Sequence, residues 1–179
     1  MFIPSLNRHI AVCSAMEIPS FTQRDRDFWH SISIMEPSRM LATRVGLKDV
    51  LSLRFDDAEN LDTEDTGITF PQKSHIEEAL AFADERPGAP LLIQCWAGLS
   101  RSAAMALGII ARGLYRDGCD TYAGDAIDYL LQIRPQARPN VLVLRLVLET
   151  FLADKEADEV TRRMVNHPTL LANRFHRLK

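Results

Sequence analysis

The sequence predicts an α/β fold: a single domain in which a central, mainly parallel, twisted sheet carries helices on both faces. Three observations lead to this fold class. Short apolar runs of strand length alternate along the chain with longer segments whose apolar residues recur at helical spacing, as in parallel sheets. Turn-forming pairs such as Pro87-Gly88 separate these segments. A length of 179 residues, with 46% apolar and 25% charged residues, fits one globular domain.

The first half of the chain contains three predicted strands, which cover residues 10–13, 30–35 and 49–55. Between the first two lies the polar segment 20–29, which contains three aromatic residues. We expect it to form a short helix that packs one aromatic edge. An acidic run, 56–65, follows the third strand, and Pro71 then begins a helix that ends at Pro87-Gly88.

The second half begins with a buried strand at 91–93 and continues with helices. Helices are predicted from about Ser102 to Tyr115, from Thr121 or Tyr122 to Arg134, and, as a last long helix, from Asn140 onward.

Residues 1–154 are predicted to form the domain. Residues 155–179 are predicted to be a charged C-terminal extension, either helical or loosely packed on the domain. Its basic residues are expected to form a solvated face; they are Arg162, Arg163, Arg174, Arg177 and Lys179.

The charge balance and the apolar pattern argue against several classes of function. A net charge of −3 gives no electrostatic case for binding nucleic acid or an anionic membrane. No apolar stretch approaches the roughly 18 residues that a membrane span needs. The N-terminus lacks the charged-then-apolar layout of a signal peptide. We therefore expect a cytoplasmic protein without nucleic-acid or membrane partners.

The cysteines and histidines are scattered. The three cysteines, Cys13, Cys95 and Cys119, have no paired spacing, which argues against a disulfide framework and favours a reducing compartment. The five histidines lack metal-ligand spacing. We therefore expect no metal and no cofactor. Cys13 and Cys119 are expected to fill apolar space, and a disulfide that protects Cys95 is the alternative.

The stretch around Cys95 has the properties of an anion site. A buried strand ends at Cys95, a loop of small residues follows, and a helix begins near Arg101 or Ser102. Backbone N–H groups in such a loop point inward, and the positive end of the helix dipole faces the bound anion. The same donors would stabilise a thiolate at Cys95. Arg101 can offer two parallel N–H donors to a tetrahedral oxyanion, and Gly98 fits where a side chain would block the turn.

These residues resemble a known family. The spacing Cys95-x5-Arg101, with Gly98 inside and Ser102 following, is similar to the phosphate-binding loop of cysteine-dependent protein tyrosine phosphatases, and most similar to a small bacterial dual-specificity-like group. The resemblance implies that Cys95 is the nucleophile and that Ser102 assists departure of its thiolate, with helix capping as the alternative role. It also implies that Arg101 and the backbone N–H groups of the loop bind the phosphate; the other loop residues are Trp96, Ala97, Gly98, Leu99 and Ser100. The Trp96 side chain is expected to pack against the back of the loop.

The proton for the leaving group must come from outside the loop. Parallel strands end on the same edge of a sheet, so the acidic run after the third strand is the best source. The family pattern places a Phe-x-Asp triplet there, and Phe55-Asp56-Asp57 matches it with Asp57 in the acid's position. Asp56 and Glu59 stay open as alternatives.

The resemblance extends from about residue 8 to 154, with departures. Gln94 precedes the nucleophile where the family usually has His, and Gln cannot carry charge, which predicts a slower enzyme. The variable loop positions carry no basic residue, which disfavours phosphoinositides. Asn140 begins a helix near the loop, either as its cap or as a positioning residue.

The sequence thus predicts a phosphatase acting on phosphotyrosine, and by analogy on phosphoserine or phosphothreonine, in a protein or a small phosphomonoester. The rival hypothesis is a catalytically weak pseudophosphatase that binds phosphorylated partners, which Gln94 favours. A sulfur transferase or an arsenate reductase is a third hypothesis. The sequence does not predict an oligomeric state.

Overall fold

The computed structural model describes residues 1–40, 42–59 and 67–175. Within them, one sheet has five strands in the order β1-β2-β5-β3-β4. The strands are β1 (Phe2–Ile3), β2 (Arg8–Ser14), β3 (His30–Met35), β4 (Asp49–Arg54) and β5 (Leu91–Cys95). Only β1 pairs antiparallel among them; the pairs β2–β5, β3–β5 and β3–β4 are parallel. The predicted α/β class with a mainly parallel sheet is confirmed.

Helices cover both faces of the sheet, but unequally. The described α-helices are α1 (Ile18–Arg24), α2 (Lys73–Asp84), α3 (Arg101–Arg116), α4 (Tyr122–Ile133), α5 (Val141–Leu148), α6 (Asp154–Val165) and α7 (Pro168–Phe175). On one face, α1 packs on a small cluster that contains Ala11, Cys13 and Leu92. On the other face, α2 to α7 share one large core with alternate strand residues such as Ile10 and Ile93. This alternation is the period of two that a strand imposes on its side chains.

Two predicted helices differ from the structure. The helix expected over 20–29 is α1, and it ends at Arg24 because the next residue, Asp25, leaves the helical conformation with a φ of −130° and a ψ of 63°. The last long helix is interrupted after Leu148, where the backbone switches to hydrogen bonds between residues three apart and Thr150 Oγ1 donates to the Val147 carbonyl at 2.7 Å. Such bonds tighten and end a helix.

The charged extension does not pack loosely. Its described part forms α6 and α7, and Ala157, Met164 and Leu170 from these helices are fully buried in the large core. Of the two alternatives for 155–179, the structure shows the helical one over 155–175 and not the looser packing, because the apolar face of α6 and Leu170 of α7 meet the core. Arg162 and Arg163 are exposed as expected, whereas Arg177 and Lys179 lie outside the described residues. The domain boundary after 154 stays a prediction.

The carboxyl ends of the parallel strands meet at one edge of the sheet. Ser14 of β2 pairs with Cys95 of β5, Ile34 pairs with Cys95 from the other side, and Met35 pairs with Arg54. The segments that follow β2, β3, β4 and β5 are therefore neighbours, although they lie far apart in the sequence. The candidate site lies at this edge, as expected for a parallel sheet.

Candidate active site

Cys95 ends β5 and lies beside the first turn of α3. Its side chain is on the face of the large core, and the residue is 1% exposed. Its Sγ lies 3.1 Å from the Oγ of Ser102, the second residue of α3, so the two groups share a hydrogen bond. The structure therefore places Ser102 where its hydroxyl can stabilise a negative charge on the Cys95 sulfur.

The loop from Cys95 to Arg101 packs on the end of β2. The Ala15 N–H donates to the Cys95 carbonyl at 3.0 Å. Gly98 has a φ of 68°, and a Cβ at this position would lie 2.7 Å from the Cys13 carbonyl oxygen and closer still to the Ser14 nitrogen. Both the left-handed backbone and this close approach require glycine. The tight turn of the loop is therefore fixed by backbone packing against the neighbouring strand.

Arg101 begins α3 and is buried, with 2% exposure. Its guanidinium donates to the Phe55 carbonyl at 2.8 Å and to Glu36 Oε1 at 2.6 Å. Its Nε–H has no hydrogen-bond partner among the described residues. A buried donor without a partner is costly, so this group is suited to an anion at the loop. Sequence reasoning missed Glu36, which directly follows β3; the strand-end argument applied to Asp57 would have found it.

Asp57 and Asp56 have different surroundings, although they are neighbours. Asp57 Oδ1 accepts hydrogen bonds from Ser100 Oγ at 2.6 Å and from Asn140 Nδ2 at 2.8 Å, so it is tied directly to the loop. Asp56 Oδ2 accepts from the Thr69 N–H at 2.8 Å, and its own N–H donates to the Thr69 carbonyl. Asp57 lines the pocket described below and Asp56 does not. Asp57, and not Asp56, is therefore hydrogen-bonded to the loop and faces the pocket.

Asn140 has both of the roles that were considered for it. Its Oδ1 accepts from the Val143 N–H at 2.9 Å, which caps the N-terminus of α5. Its Nδ2 donates to Asp57 Oδ1 and, at 3.1 Å, to the Ala58 carbonyl. The residue is fully buried. One side chain therefore caps a helix and anchors residues 57–59, called the acid segment below because they contain the predicted acid.

A salt bridge supports the back of the loop. Arg134 pairs with Glu17 at 2.9 Å, and its other nitrogen lies 3.5 Å from the Ala97 carbonyl. Burial raises the pKa of Glu17, but the hydrogen bonds from Arg134 and Ser14 outweigh this effect and lower the pKa to about 2. Glu17 is therefore ionised at neutral pH and holds Arg134 against the loop.

Gln94 and Cys13 lie on the α1 face of the sheet, away from Cys95. The Gln94 Nε2 donates to Ser33 Oγ on the adjacent strand, and both side chains are buried. Burial, followed by the charge of Glu17, raises the pKa of the Cys13 thiol to about 12. Cys13 is in the small cluster, whereas Cys95 is in the large core. Strand alternation thus separates the two thiols, which argues against a protective disulfide between them.

A pocket of about 760 Å³ opens above the loop. Trp96, Ala97, Ser100 and Arg101 line it from the loop, and Asp57 lines it from the acid segment. The expectation that the Trp96 ring packs behind the loop is wrong: the residue is 43% exposed, and its ring stacks on the Arg39 guanidinium at 4.0 Å.

Sequence reasoning also missed several residues of this pocket. They are Glu36, Arg39, Ala58, Ile68, Arg138 and Arg174. The three arginines come from outside the loop, so the argument from the uncharged loop positions did not count them. Leu99 faces the segment before α5, where its carbonyl accepts from the Arg138 N–H at 2.9 Å. No pattern in the sequence links these arginines to the loop, because each comes from a different part of the chain.

The described ranges hold neither a metal-binding cluster nor a membrane-spanning helix. There, no group of three or more His, Cys, Asp and Glu residues could hold a metal ion. The helices in the same ranges are too short or too polar to cross a membrane.

The comparisons with known proteins identify the fold. No family model and no curated protein matches the chain. Among solved structures, the chain is similar to DUSP15, with a TM-score of 0.58 and 19% identity over 93% of this chain and 94% of that one. It is also similar to the human tyrosine phosphatase-like serine/threonine/tyrosine-interacting protein, with a TM-score of 0.57 and 19% identity over 84% and 93%. A third match is PTPMT1, solved in complex with PI(5)P, with a TM-score of 0.51 and 18% identity over 87% and 94%.

The chain therefore has the fold of the dual-specificity phosphatases and phosphatase-like proteins. This is the fold that the sequence resemblance implied. The narrower likeness to a small bacterial group stays a prediction, as do the roles of the individual site residues.

Proposed function

We propose that this protein hydrolyses phosphate monoesters, phosphotyrosine above all, through a cysteinyl-phosphate intermediate. The observation that carries the proposal is the assembly at one sheet edge of a Cys95–Ser102 hydrogen bond, a buried Arg101 with an unpartnered N–H, and Asp57 in the adjoining pocket. These groups are a nucleophile, an anion-binding cation and a proton donor. They are what phosphoryl transfer to a thiolate requires.

In the first step, the Cys95 thiolate attacks phosphorus, and the bond between phosphorus and the leaving oxygen breaks. Charge on the equatorial oxygens is stabilised by the loop N–H groups and by the Arg101 guanidinium. Asp57 gives its proton to the leaving oxygen. Ser100 and Asn140 both donate to Asp57 Oδ1, which leaves Oδ2 as the oxygen that carries this proton.

In the second step, water attacks the phosphorus of the cysteinyl-phosphate, and the Asp57 carboxylate takes the proton from that water. The bond between phosphorus and sulfur breaks, and Cys95 leaves as a thiolate. The Ser102 hydroxyl, 3.1 Å from the sulfur, donates a hydrogen bond to the departing thiolate. Inorganic phosphate is released, and no metal or cofactor takes part in either step.

We propose a phosphorylated protein or a small phosphomonoester as the substrate. Phosphoserine and phosphothreonine are the secondary substrates. The exposed Trp96 ring at the rim of the pocket offers a surface for the aromatic ring of phosphotyrosine. We place the activity in the cytoplasm, because a nucleophilic thiolate has to be kept reduced.

A second candidate is a phosphoprotein-binding module with little turnover. Gln94 supports it, since this residue replaces the histidine typical of the active family, and one structural neighbour is named as a phosphatase-like interacting protein. The position of Asp57 favours the enzyme, because a pure binding site has no need of a proton donor tied to the loop.

The test is hydrolysis of an aryl phosphate between pH 5 and 8 in the presence of a chelator. We expect wild type to turn over, Cys95→Ser to be inactive, and Asp57→Asn to be slowed by about 10²–10⁴-fold with loss of the decline toward basic pH. Asn at position 57 keeps an oxygen that can accept from Ser100 and Asn140. Cys119→Ser is the matched control, because Cys119 bonds to Asp125 and lies between α3 and α4.

Each outcome separates the candidates. An inert wild type that still binds vanadate or inorganic phosphate would support the binding module. Activity that survives Cys95→Ser would refute the covalent route. Full activity in Asp57→Asn would move the acid to Glu59 or Asp56.

A further inference from the structure

We propose that Arg174, on the C-terminal helix α7, is a positioning residue for the acid segment 57–59. This inference rests on the proposed phosphatase function. It assigns the charged C-terminal extension a part in the site, where the sequence predicted only a solvated basic face.

The contacts of Arg174 join three parts of the chain. Its Nη1 lies 2.9 Å from Glu59 Oε2, and its Nη2 donates to the Pro139 carbonyl just before α5. Its side chain is only 23% exposed, and the residue lines the same pocket as Asp57 and Arg101. Arg174 therefore holds Glu59 against the start of α5, beside the proposed phosphate site.

The helix that carries Arg174 is itself fixed. Leu170 is fully buried in the large core. Asn173 Nδ2 donates to the Pro135 and Ala137 carbonyls, both at 2.8 Å. Packing and hydrogen bonding thus place Arg174 at a defined position over the 135–140 segment, so its contact with Glu59 is made from a rigid support.

Each residue of the acid segment accepts a hydrogen bond from the start of α5. Asn140 donates to Asp57 Oδ1 and to the Ala58 carbonyl, and the Val141 N–H donates to Glu59 Oε1 at 3.4 Å. Arg174 binds the other oxygen of Glu59. This ion pair anchors Glu59, which lies two residues after Asp57, the proposed acid. A small displacement of Asp57 would lengthen the path of its proton to the leaving oxygen, and proton transfer depends steeply on that geometry.

The same ion pair has an electrostatic effect. Glu59 lines the pocket that a phosphate dianion would enter, and an unpaired carboxylate there would repel the substrate. Arg174 compensates that charge; the effect is the same for every phosphate ester and, in a pair this exposed, is expected to be about twofold or less. Because partly exposed ion pairs contribute little to folding stability, variants of either residue are expected to fold.

The test compares two esters that differ in their need for an acid. The 4-nitrophenolate ion leaves easily without a proton, whereas phenolate is a poor leaving group. We expect Arg174→Gln to lower kcat/KM about tenfold for phenyl phosphate and no more than about twofold for 4-nitrophenyl phosphate. The tenfold loss is a part of the ~10²–10⁴-fold acceleration that a general acid supplies. Arg174→Lys keeps a charge near Glu59 and should recover most of the loss.

Two further variants make the test specific. The double variant with Glu59→Gln should lose no more than the worse single variant, because both changes break one contact. Arg162→Gln, which removes an exposed charge from α6 of the same extension, should leave both esters unchanged.

Several results would overturn the inference. One is an unchanged phenyl phosphate rate in Arg174→Gln, and another is an equal loss for both esters. A third is the same loss in Arg162→Gln, and strictly additive losses in the double variant would be a fourth. If wild type hydrolyses neither ester, the proposed function fails as well. If wild type is active and only these contrasts are missing, the positioning role alone is refuted.

Discussion

The side of the site that carries Cys95, the proposed nucleophile, and the side that carries Asp57, the proposed acid, are built by different means; they are called the nucleophile side and the acid side below. The loop from Cys95 to Arg101 is held mainly by backbone: it joins a strand to a helix, and Gly98 packs on the end of β2. The acid segment 57–59 is held mainly by side chains, from Asn140 and Arg174. These side chains belong to helices more than 80 residues further along the chain, since the Asn140–Asp57 bond spans 83 positions.

This difference predicts how each side responds to change. Backbone packing against a strand is rigid, so a substitution that disturbs it is expected to lower both the stability of the fold and the activity. Side-chain hydrogen bonds and ion pairs to a partly exposed segment can be removed with small effects on folding. Their loss should lower the rate for esters whose leaving group needs a proton. The two sides can therefore be separated by measuring stability and leaving-group dependence in the same variants.

The largest effect is expected from Gly98→Ala, which breaks the nucleophile side. The added Cβ meets the backbone of Cys13 and Ser14 at a left-handed φ, so we expect a loss of about 2–3 kcal/mol in unfolding free energy together with loss of activity on both esters. Urea unfolding and ester hydrolysis give the two readouts.

Gly118→Ala is the matched control for Gly98→Ala. Gly118 also has a positive φ, of 76°, but a Cβ there meets nothing within 4 Å. The backbone conformation alone should cost about 1 kcal/mol, with activity unchanged. Equal losses in the two variants would show that the loop is not held by its packing on β2.

A smaller effect is expected from Asn140→Ser, which breaks the acid side. Serine can still cap α5, but it cannot donate to both Asp57 Oδ1 and the Ala58 carbonyl. We expect kcat/KM for phenyl phosphate to fall about tenfold, with a loss of only about 1–2 kcal/mol in stability for the buried amide. Asn140→Ala should lose about 1 kcal/mol more, since the cap is also removed. An Asn140→Ser variant with normal phenyl phosphate hydrolysis would mean that Asn140 is a cap alone.

The smallest effect is expected from Glu17→Gln, which removes the salt bridge to Arg134 on the nucleophile side. The pKa of Glu17 is lowered in the folded state to about 2, below the ordinary value of 4.5, so its stabilisation is complete above about pH 5 and is lost as the pH falls toward 2. The side chain is 43% exposed, and after allowance for solvent screening we expect about 1 kcal/mol or less. Urea unfolding of wild type and Glu17→Gln should differ at pH 7, differ less at pH 3, and converge near pH 2. A difference that grows with acidity would contradict this sign.

The same difference between the two sides explains which parts of the site could be predicted from the sequence. The loop was predictable because strand, Gly98, Arg101 and helix start are contiguous. The acidic run that contains Asp57 was predictable because it follows a parallel strand, and such ends meet at one edge; the choice of Asp57 within that run came from the family resemblance. Glu36 follows the neighbouring strand in the same way and could have been found. Arg174 could not, because its place depends on how α7 docks on the core, and no local pattern encodes that docking.

The prediction also failed where tertiary packing overrides a local signal. Charge in the extension suggested a solvated segment, yet the apolar face of α6, which includes Met164, is buried, and so is Leu170 of α7. The Trp96 ring was expected to pack behind the loop. Here, the rim position leaves its ring half-exposed, where it stacks on Arg39.

The central claim is a covalent phosphate on Cys95, and the most direct measurement is to trap it. Ser102→Ala removes the hydroxyl beside the sulfur, so it should slow thiolate departure and let the intermediate accumulate. Rapid quenching of this variant during turnover of an aryl phosphate, followed by peptide mass spectrometry, should place one phosphoryl group on Cys95. Continued hydrolysis with no phosphate on Cys95, or with phosphate on another residue, would contradict the account.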